Sequence, residues 1–172
     1  VSTMPLPQSP APSLDLPLVS GGRFRLADQE PENFTLVVFY RGLHCPICSQ
    51  QLKEIDRRHD ELRAAGITPV AVSGDSAERA ARSVEKWHLE QLPVAHGQTV
   101  ESMREWGLFV SKGINDQEPE LFGEPGVFLI RPDGTIYWQV LGSMPFGRPH
   151  LDDVLNAVTF VVENDYPARG EA

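Results

Sequence analysis

A chain of 172 residues with 41% apolar side chains is long enough to close one hydrophobic core. Its 24 Asp and Glu against 15 Lys and Arg give a formal charge of -9; such a surface is repelled by phosphate backbones and anionic lipid, which argues against nucleic acid and membranes as partners. No apolar run approaches the roughly 20 residues that span a bilayer, and Val1-Ser2-Thr3-Met4-Pro5-Leu6-Pro7 has neither the basic nor the apolar region of a secretory signal, so a cytoplasmic setting is expected.

Residues 1–15, rich in Pro and Ser, read as an extended arm that drapes over the domain or stays mobile, and 16–172 as the domain itself. Leu18-Val19 and Phe24-Arg25-Leu26 flank Gly21-Gly22 and predict a hairpin. Phe34 to Tyr40 is continuously apolar, as in a central strand covered on both faces. Leu52, Ile55, His59 and Leu62 recur at helical spacing, predicting one helix from about Pro46 to Ala65 with Gly66 as its cap. Ile67 to Ser73 is the next strand. Asp75 with Glu78 resembles a capping box for a helix running through Val84 and Trp87. Leu92 to Ala95 reads as a short strand and Val100 to Trp106 as a short helix ended by Gly107.

Pro125 to Ile130 and Thr135 to Leu141 flank the turn Arg131-Pro132-Asp133-Gly134 and predict two antiparallel strands. A last helix opens at Pro149, with Leu151, Val154, Leu155, Val158, Val161 and Val162 on one face. Strands alternating with helices and ending in a hairpin plus a helix predict an α/β fold, a mixed central sheet flanked by helices. Trp87, Trp106, Phe109 and Trp138 are expected in the core, and His59 at its boundary.

The two cysteines of the chain stand in one tetrapeptide, Cys45-Pro46-Ile47-Cys48, where the apolar strand ends and the first long helix begins. Unpaired N–H groups and the partial positive charge of a helix N-terminus stabilise a thiolate there. A Cys-x-x-Cys at a strand-to-helix junction is the sequence form of a redox site. Two buried, inert cysteines are the bland alternative. A metal site is a third reading, for which a second ligand pair is wanting: His44 adjoins the cysteines, while His59, His88, His96 and His150 are scattered. No cofactor is implied.

Val37 to Cys48 followed by Gln51-Leu52, together with Pro125 to Ile130, Pro132-Asp133-Gly134, Met144 to Pro149 and Tyr166 to Glu171, resembles the Cys-x-x-Cys branch of the peroxiredoxin-like proteins. These belong to the alkyl hydroperoxide reductase and thiol-specific antioxidant (AhpC/TSA) superfamily. The resemblance implies a thioredoxin-like fold and a redox activity on disulfides or hydroperoxides, with an external thiol as reductant and a homodimer left open. On the family's Pro-x-x-x-Thr-x-x-Cys pattern ending at Cys48, Arg41 takes the Pro position and His44 is expected at the Thr position. The family's activating Arg would fall near Glu124 or Pro125, neither of which carries a guanidinium.

Matched instead to thioredoxins, Cys45 is the exposed nucleophile and Cys48 the resolving thiol. Pro46 opens the helix, and Pro125 stands where thioredoxins place a cis-proline facing the disulfide. His44 is expected to tune the thiol or contact substrate, and Arg41 to stabilise an anion or to be a salt-bridged loop residue. Arg148, beside a helix N-terminus, is expected to pair with Glu163 or Asp165 rather than to bind an anion.

Overall fold

The computed structural model describes residues 4–172; Val1 to Thr3, part of the expected arm, lie outside the described residues. The apolar run becomes β3 (Phe34–Phe39), in the middle of a sheet ordered β5-β4-β3-β8-β9, where the other strands are β4 (Ile67–Val72), β5 (Val94–Ala95), β8 (Gly126–Ile130) and β9 (Ile136–Leu141). β3 pairs parallel to β4, with Phe34 opposite Ile67, and antiparallel to β8, with Val37 opposite Phe128, so the sheet is mixed. No residue from Phe34 to Tyr40 is more than 2% exposed. A strand carrying apolar side chains on both faces must be covered on both.

Alternation along the strands sorts those side chains into two cores. Phe34, Leu36, Val38 and Tyr40 face α1 (Pro46–Arg57) and α5 (Leu151–Asn164), meeting Leu52, Ile55, Val154 and Val158. Val37, Phe39, Phe128 and Ile130 face the opposite side, with Met103 of α4 (Val100–Glu105) and Trp106. Phe39, Trp106 and Phe128 form a ring cluster with centroids 4.9 to 5.6 Å apart. Trp87 is buried beside Tyr40 as expected, whereas Phe109 is 53% exposed and not a core residue.

The expected hairpin forms with earlier strands, β1 (Asp15–Pro17), which ends before Leu18-Val19, and β2 (Arg23–Arg25), which starts one residue before Phe24. The single helix expected over 46–65 is interrupted at Arg58 and continues as α2 (His59–Ala64). Arg58 there makes ion pairs with Glu54, Glu61 and Asp152, so the break is tied at the surface to α5 as well as to its own helix. The helix α3 (Ala77–Lys86) is capped by Ser76, whose hydroxyl accepts the Arg79 N–H; Asp75, the expected cap, is buried and faces elsewhere. Pro149 lies before α5, which His150 precedes directly.

A second hairpin, β6 (Val110–Lys112) with β7 (Leu121–Gly123), had no counterpart among the expected elements. Its strands are three residues each, too short to show a period. The arm drapes: the Gln8 N–H donates to the Ile136 carbonyl at 2.7 Å, and Pro10 bridges Thr135 at the start of β9. Among the described residues no helix is long and apolar enough to cross a membrane.

Candidate active site

β3 ends at Phe39, and the chain must turn within residues 40–45 to begin α1. Gly42 sits in that turn at φ +142°, and a Cβ on it would lie 2.7 Å from a carboxylate oxygen of Asp75. Only glycine fits both demands. Asp75 accepts the Leu43 N–H at 2.8 Å and the Arg79 Nε at 3.0 Å, which fixes the turn from the neighbouring strand-to-helix connection.

Cys45 is the N-cap of α1, and its sulfur accepts the Cys48 N–H at 3.2 Å. Pro46 is the first helical residue, where a missing N–H costs nothing. Both cysteines are reduced and buried, Cys45 at 1% exposure and Cys48 at 0%. Cys45 is therefore not the exposed nucleophile expected by analogy with thioredoxins. The third residue before Cys48 is Cys45 itself, so the Thr position of the family pattern is held by the Cys45 sulfur and not by His44.

Two arginines converge on this pair. Arg41 donates its backbone N–H to the Cys48 sulfur at 3.3 Å, while its guanidinium lies within hydrogen-bond reach of Cys45 and pairs with Glu124 at 2.9 Å. The Arg41 guanidinium also stacks over Phe122 at 4.9 Å. Arg148 arrives from the β9–α5 connection. Its Nη2 is 2.9 Å from the Cys48 sulfur and 3.8 Å from that of Cys45, its Nη1 donates to the Gln51 side chain, and its Nε donates to the Pro145 carbonyl at 2.7 Å. The expected pairing of Arg148 with Glu163 or Asp165 is thus replaced by contact with the sulfurs. Pro149 keeps the backbone out of helix at Arg148, and α5 carries both acids away from it.

The sulfurs are inequivalent although they share one helical turn. The Cys45 thiol is lowered to about 6, first by the hydrogen bond from Cys48, then against burial by the Cys48 N–H, Arg41 and the charge of Arg148. Burial pushes the Cys48 thiol up, and its bond to the Cys45 thiolate pushes the same way. Arg148 lies nearer Cys48, yet desolvation of a sulfur with no exposed surface outweighs it. One thiolate is thereby shared unequally, in favour of Cys45.

His44 sits below its ordinary pKa, from burial first and the charge of Arg41 second, so it lends the thiols no positive charge at neutral pH. Its Nδ1 lies 3.4 Å from Arg79 and its ring packs edge-on against Phe122. Pro125 is buried between β7 and β8, but among the described residues no peptide bond is cis, which corrects the expectation for it. His59 is buried in α2, away from this site. Among the described residues no group of three or more His, Cys, Asp or Glu side chains is arranged to hold a metal.

Gln51, Arg148 and Glu124 are the site residues that sequence reasoning missed. Gln51 follows Cys48 by three residues and so shares its helix face. That spacing was the available signal. For Glu124 and Arg148 the partners lie 83 and 100 residues away in the chain, beyond any local pattern.

Residues 7–139 match the AhpC/TSA family. Peroxiredoxin 2 of Picrophilus torridus is 27% identical over 124 residues, covering 69% of this chain; the match spans 58% of that relative's length. Peroxidoxin BcpB from Mycobacterium tuberculosis superposes with a TM-score of 0.75 at 17% identity, over 92% of this chain and 99% of that one. Enterococcus faecalis AhpC does so with a TM-score of 0.76 at 17% identity, over 96% and 99%. A peroxiredoxin-like protein from Aquifex aeolicus gives 0.75 at 17% identity, over 94% and 90%. These likenesses establish a thioredoxin-like α/β fold.

Proposed function

The chain belongs to the AhpC/TSA family, and on that premise we propose that it is a thiol-based oxidoreductase whose Cys45–Cys48 pair cycles between dithiol and disulfide. The observation that carries this reading is the placement of two reduced sulfurs on one helical turn, Cys45 capping α1 and accepting the Cys48 N–H at 3.2 Å, with the Arg148 guanidinium 2.9 Å from Cys48 and 3.8 Å from Cys45. In that setting the Cys45 thiol is lowered and the Cys48 thiol raised, which favours Cys45 as the thiolate. In the leading form the Cys45 thiolate attacks one sulfur of a substrate disulfide and expels the other as a thiolate. Cys48, losing its proton, then attacks Cys45 in the mixed disulfide and releases the second thiol. The substrate gains two electrons, the pair closes as a disulfide, and an external thiol reopens it.

A second reading is favoured by the donors gathered on Cys48, the Arg148 guanidinium and the Arg41 N–H. In it a hydroperoxide oxidises Cys48 to the sulfenic acid with departure of an alcohol or water. Cys45 then condenses with it, releasing water and forming the same disulfide. Both forms suit a small oxidant, since neither cysteine is more than 1% exposed.

Single Cys45→Ser and Cys48→Ser variants separate the forms. Exchange through Cys45 predicts that Cys48→Ser traps a mixed disulfide with a small aromatic disulfide while Cys45→Ser does not. The peroxidase predicts a peroxide-dependent sulfenate on Cys48 in Cys45→Ser. If neither variant reacts with either oxidant, the redox assignment fails altogether.

A further inference from the structure

Glu124 is a carboxylate 3% exposed, in the connection between β7 and β8, and its local surroundings give it no reason to be an acid. A buried charge costs several kcal/mol to desolvate, and an apolar pair of similar volume is commonly as stable. The geometry around it is more specific than stability requires. One oxygen accepts the Ser111 hydroxyl of β6 at 2.7 Å, and the other accepts Nε of Arg41 at 2.9 Å. The Glu124 N–H donates to the Phe109 carbonyl at 2.8 Å, anchoring the backbone to the same hairpin. Phe122, two residues before Glu124 in β7, supplies the ring under the guanidinium. Arg41 is thereby gripped at Nε and on its face, with Cys45 within reach of the same guanidinium.

We propose that Glu124 is a positioning residue, holding the Arg41 guanidinium on Cys45 so that Cys45 rather than Cys48 is the more reactive sulfur. The proposal rests on the redox reading of the pair and adds to it what selects the first nucleophile. The groups facing Cys45 are Cys48 of α1, Arg41 of the β3–α1 turn and Arg148 of the β9–α5 connection. His44 adjoins it, backed by Arg79 and Asp75. The only acid behind Arg41 is Glu124 among the described ion pairs.

Positioning and simple charge predict opposite signs. A carboxylate acting through space repels a thiolate, so removing it lowers the Cys45 pKa; a carboxylate that places a guanidinium raises it on removal. The test is the pH dependence of thiolate absorbance and of iodoacetamide alkylation at Cys45 in the full chain. Glu124→Ala and Arg41→Met are expected to raise the midpoint by about one unit, slowing alkylation at pH 6 roughly fivefold. Glu124→Gln, which keeps an oxygen for Arg41, stays near the parent, and the double Arg41→Met/Glu124→Ala variant goes no higher than Arg41→Met.

A midpoint that is unchanged or lowered in Glu124→Ala overturns the proposal. Should Glu124→Ala not fold, Ser111→Ala frees one carboxylate oxygen and is expected to give a smaller upward shift; no shift there overturns it equally. Titration needs no turnover. Normal cycling with an unmoved midpoint removes this inference alone, and a moved midpoint in a protein that reduces neither oxidant removes the functional reading alone.

Discussion

The two arginines at the dithiol differ in what holds them. Arg41 belongs to the turn that leaves the most buried strand, and its charge is neutralised by Glu124 and seated on Phe122. Arg148 belongs to a connection without regular structure, flanked by Met144 and Phe146, which are more than half exposed. Its partners other than sulfur are neutral, the Gln51 side chain and the Pro145 carbonyl. A guanidinium paired with a buried carboxylate is a fixed part of the frame. One held by two neutral acceptors keeps its full charge for the sulfurs. The cation beside Cys45 is thus already paired with an acid, and the one on Cys48 is not.

Removing the Arg148 cation should give the largest effect. A hydrogen bond to a charged group is worth about 1.5–3 kcal/mol, so Arg148→Met is expected to slow closure of the Cys45–Cys48 disulfide by ten- to a hundredfold. Stopped-flow release of the second thiol after a small aromatic disulfide reacts gives that rate. Arg148→Lys should not restore it, because a single ammonium cannot serve Gln51, Pro145 and sulfur together. Closure at the parent rate would break the contrast between the two cations.

Next in size is the pH profile on the Cys45 side. With its pKa at about 6, alkylation of Cys45 should rise about tenfold from pH 5 to pH 8 and level off. Stability should follow the same group. Its folded value lies below the unfolded one, 9.0, so the stabilisation is complete above pH 9 and is lost as pH falls through 6. Cys48, shifted up, takes stability away only above its own unfolded value. Between pH 6 and 9 the urea midpoint of the reduced parent should therefore climb relative to Cys45→Ser. A flat difference would mean that Cys45 is not the ionised sulfur.

The smallest effect should come from Gln51→Ala. Loss of one neutral-acceptor hydrogen bond, about 1 kcal/mol, predicts a closure rate several-fold slower with the alkylation profile at Cys45 unmoved. If the profile moves as well, the two cations act as one unit.

The strands and helices that build the frame were legible because burial imposes a period. Phe34–Phe39 has both faces covered and reads as an unbroken apolar run, and α5 reads through Leu151, Val154 and Val158. The β6–β7 hairpin escaped since three-residue strands repeat nothing, and the break at Arg58 escaped since Asp152 of α5 helps to hold it. Thr-to-Cys replacement at position 45 was readable by counting alone.

By itself, then, the sequence determined the α/β frame, the family likeness and the placement of Cys45 and Cys48 on the first turn of a helix, because all of these follow from local spacing and hydrophobic period. Only the tertiary structure decided that both sulfurs are buried, that Pro125 is trans, and that Arg148 and Glu124 belong to the site. The reactivity of the pair is set by charges brought together across 83 and 100 residues of chain, and electrostatic interaction depends on distance in space, which no local pattern records.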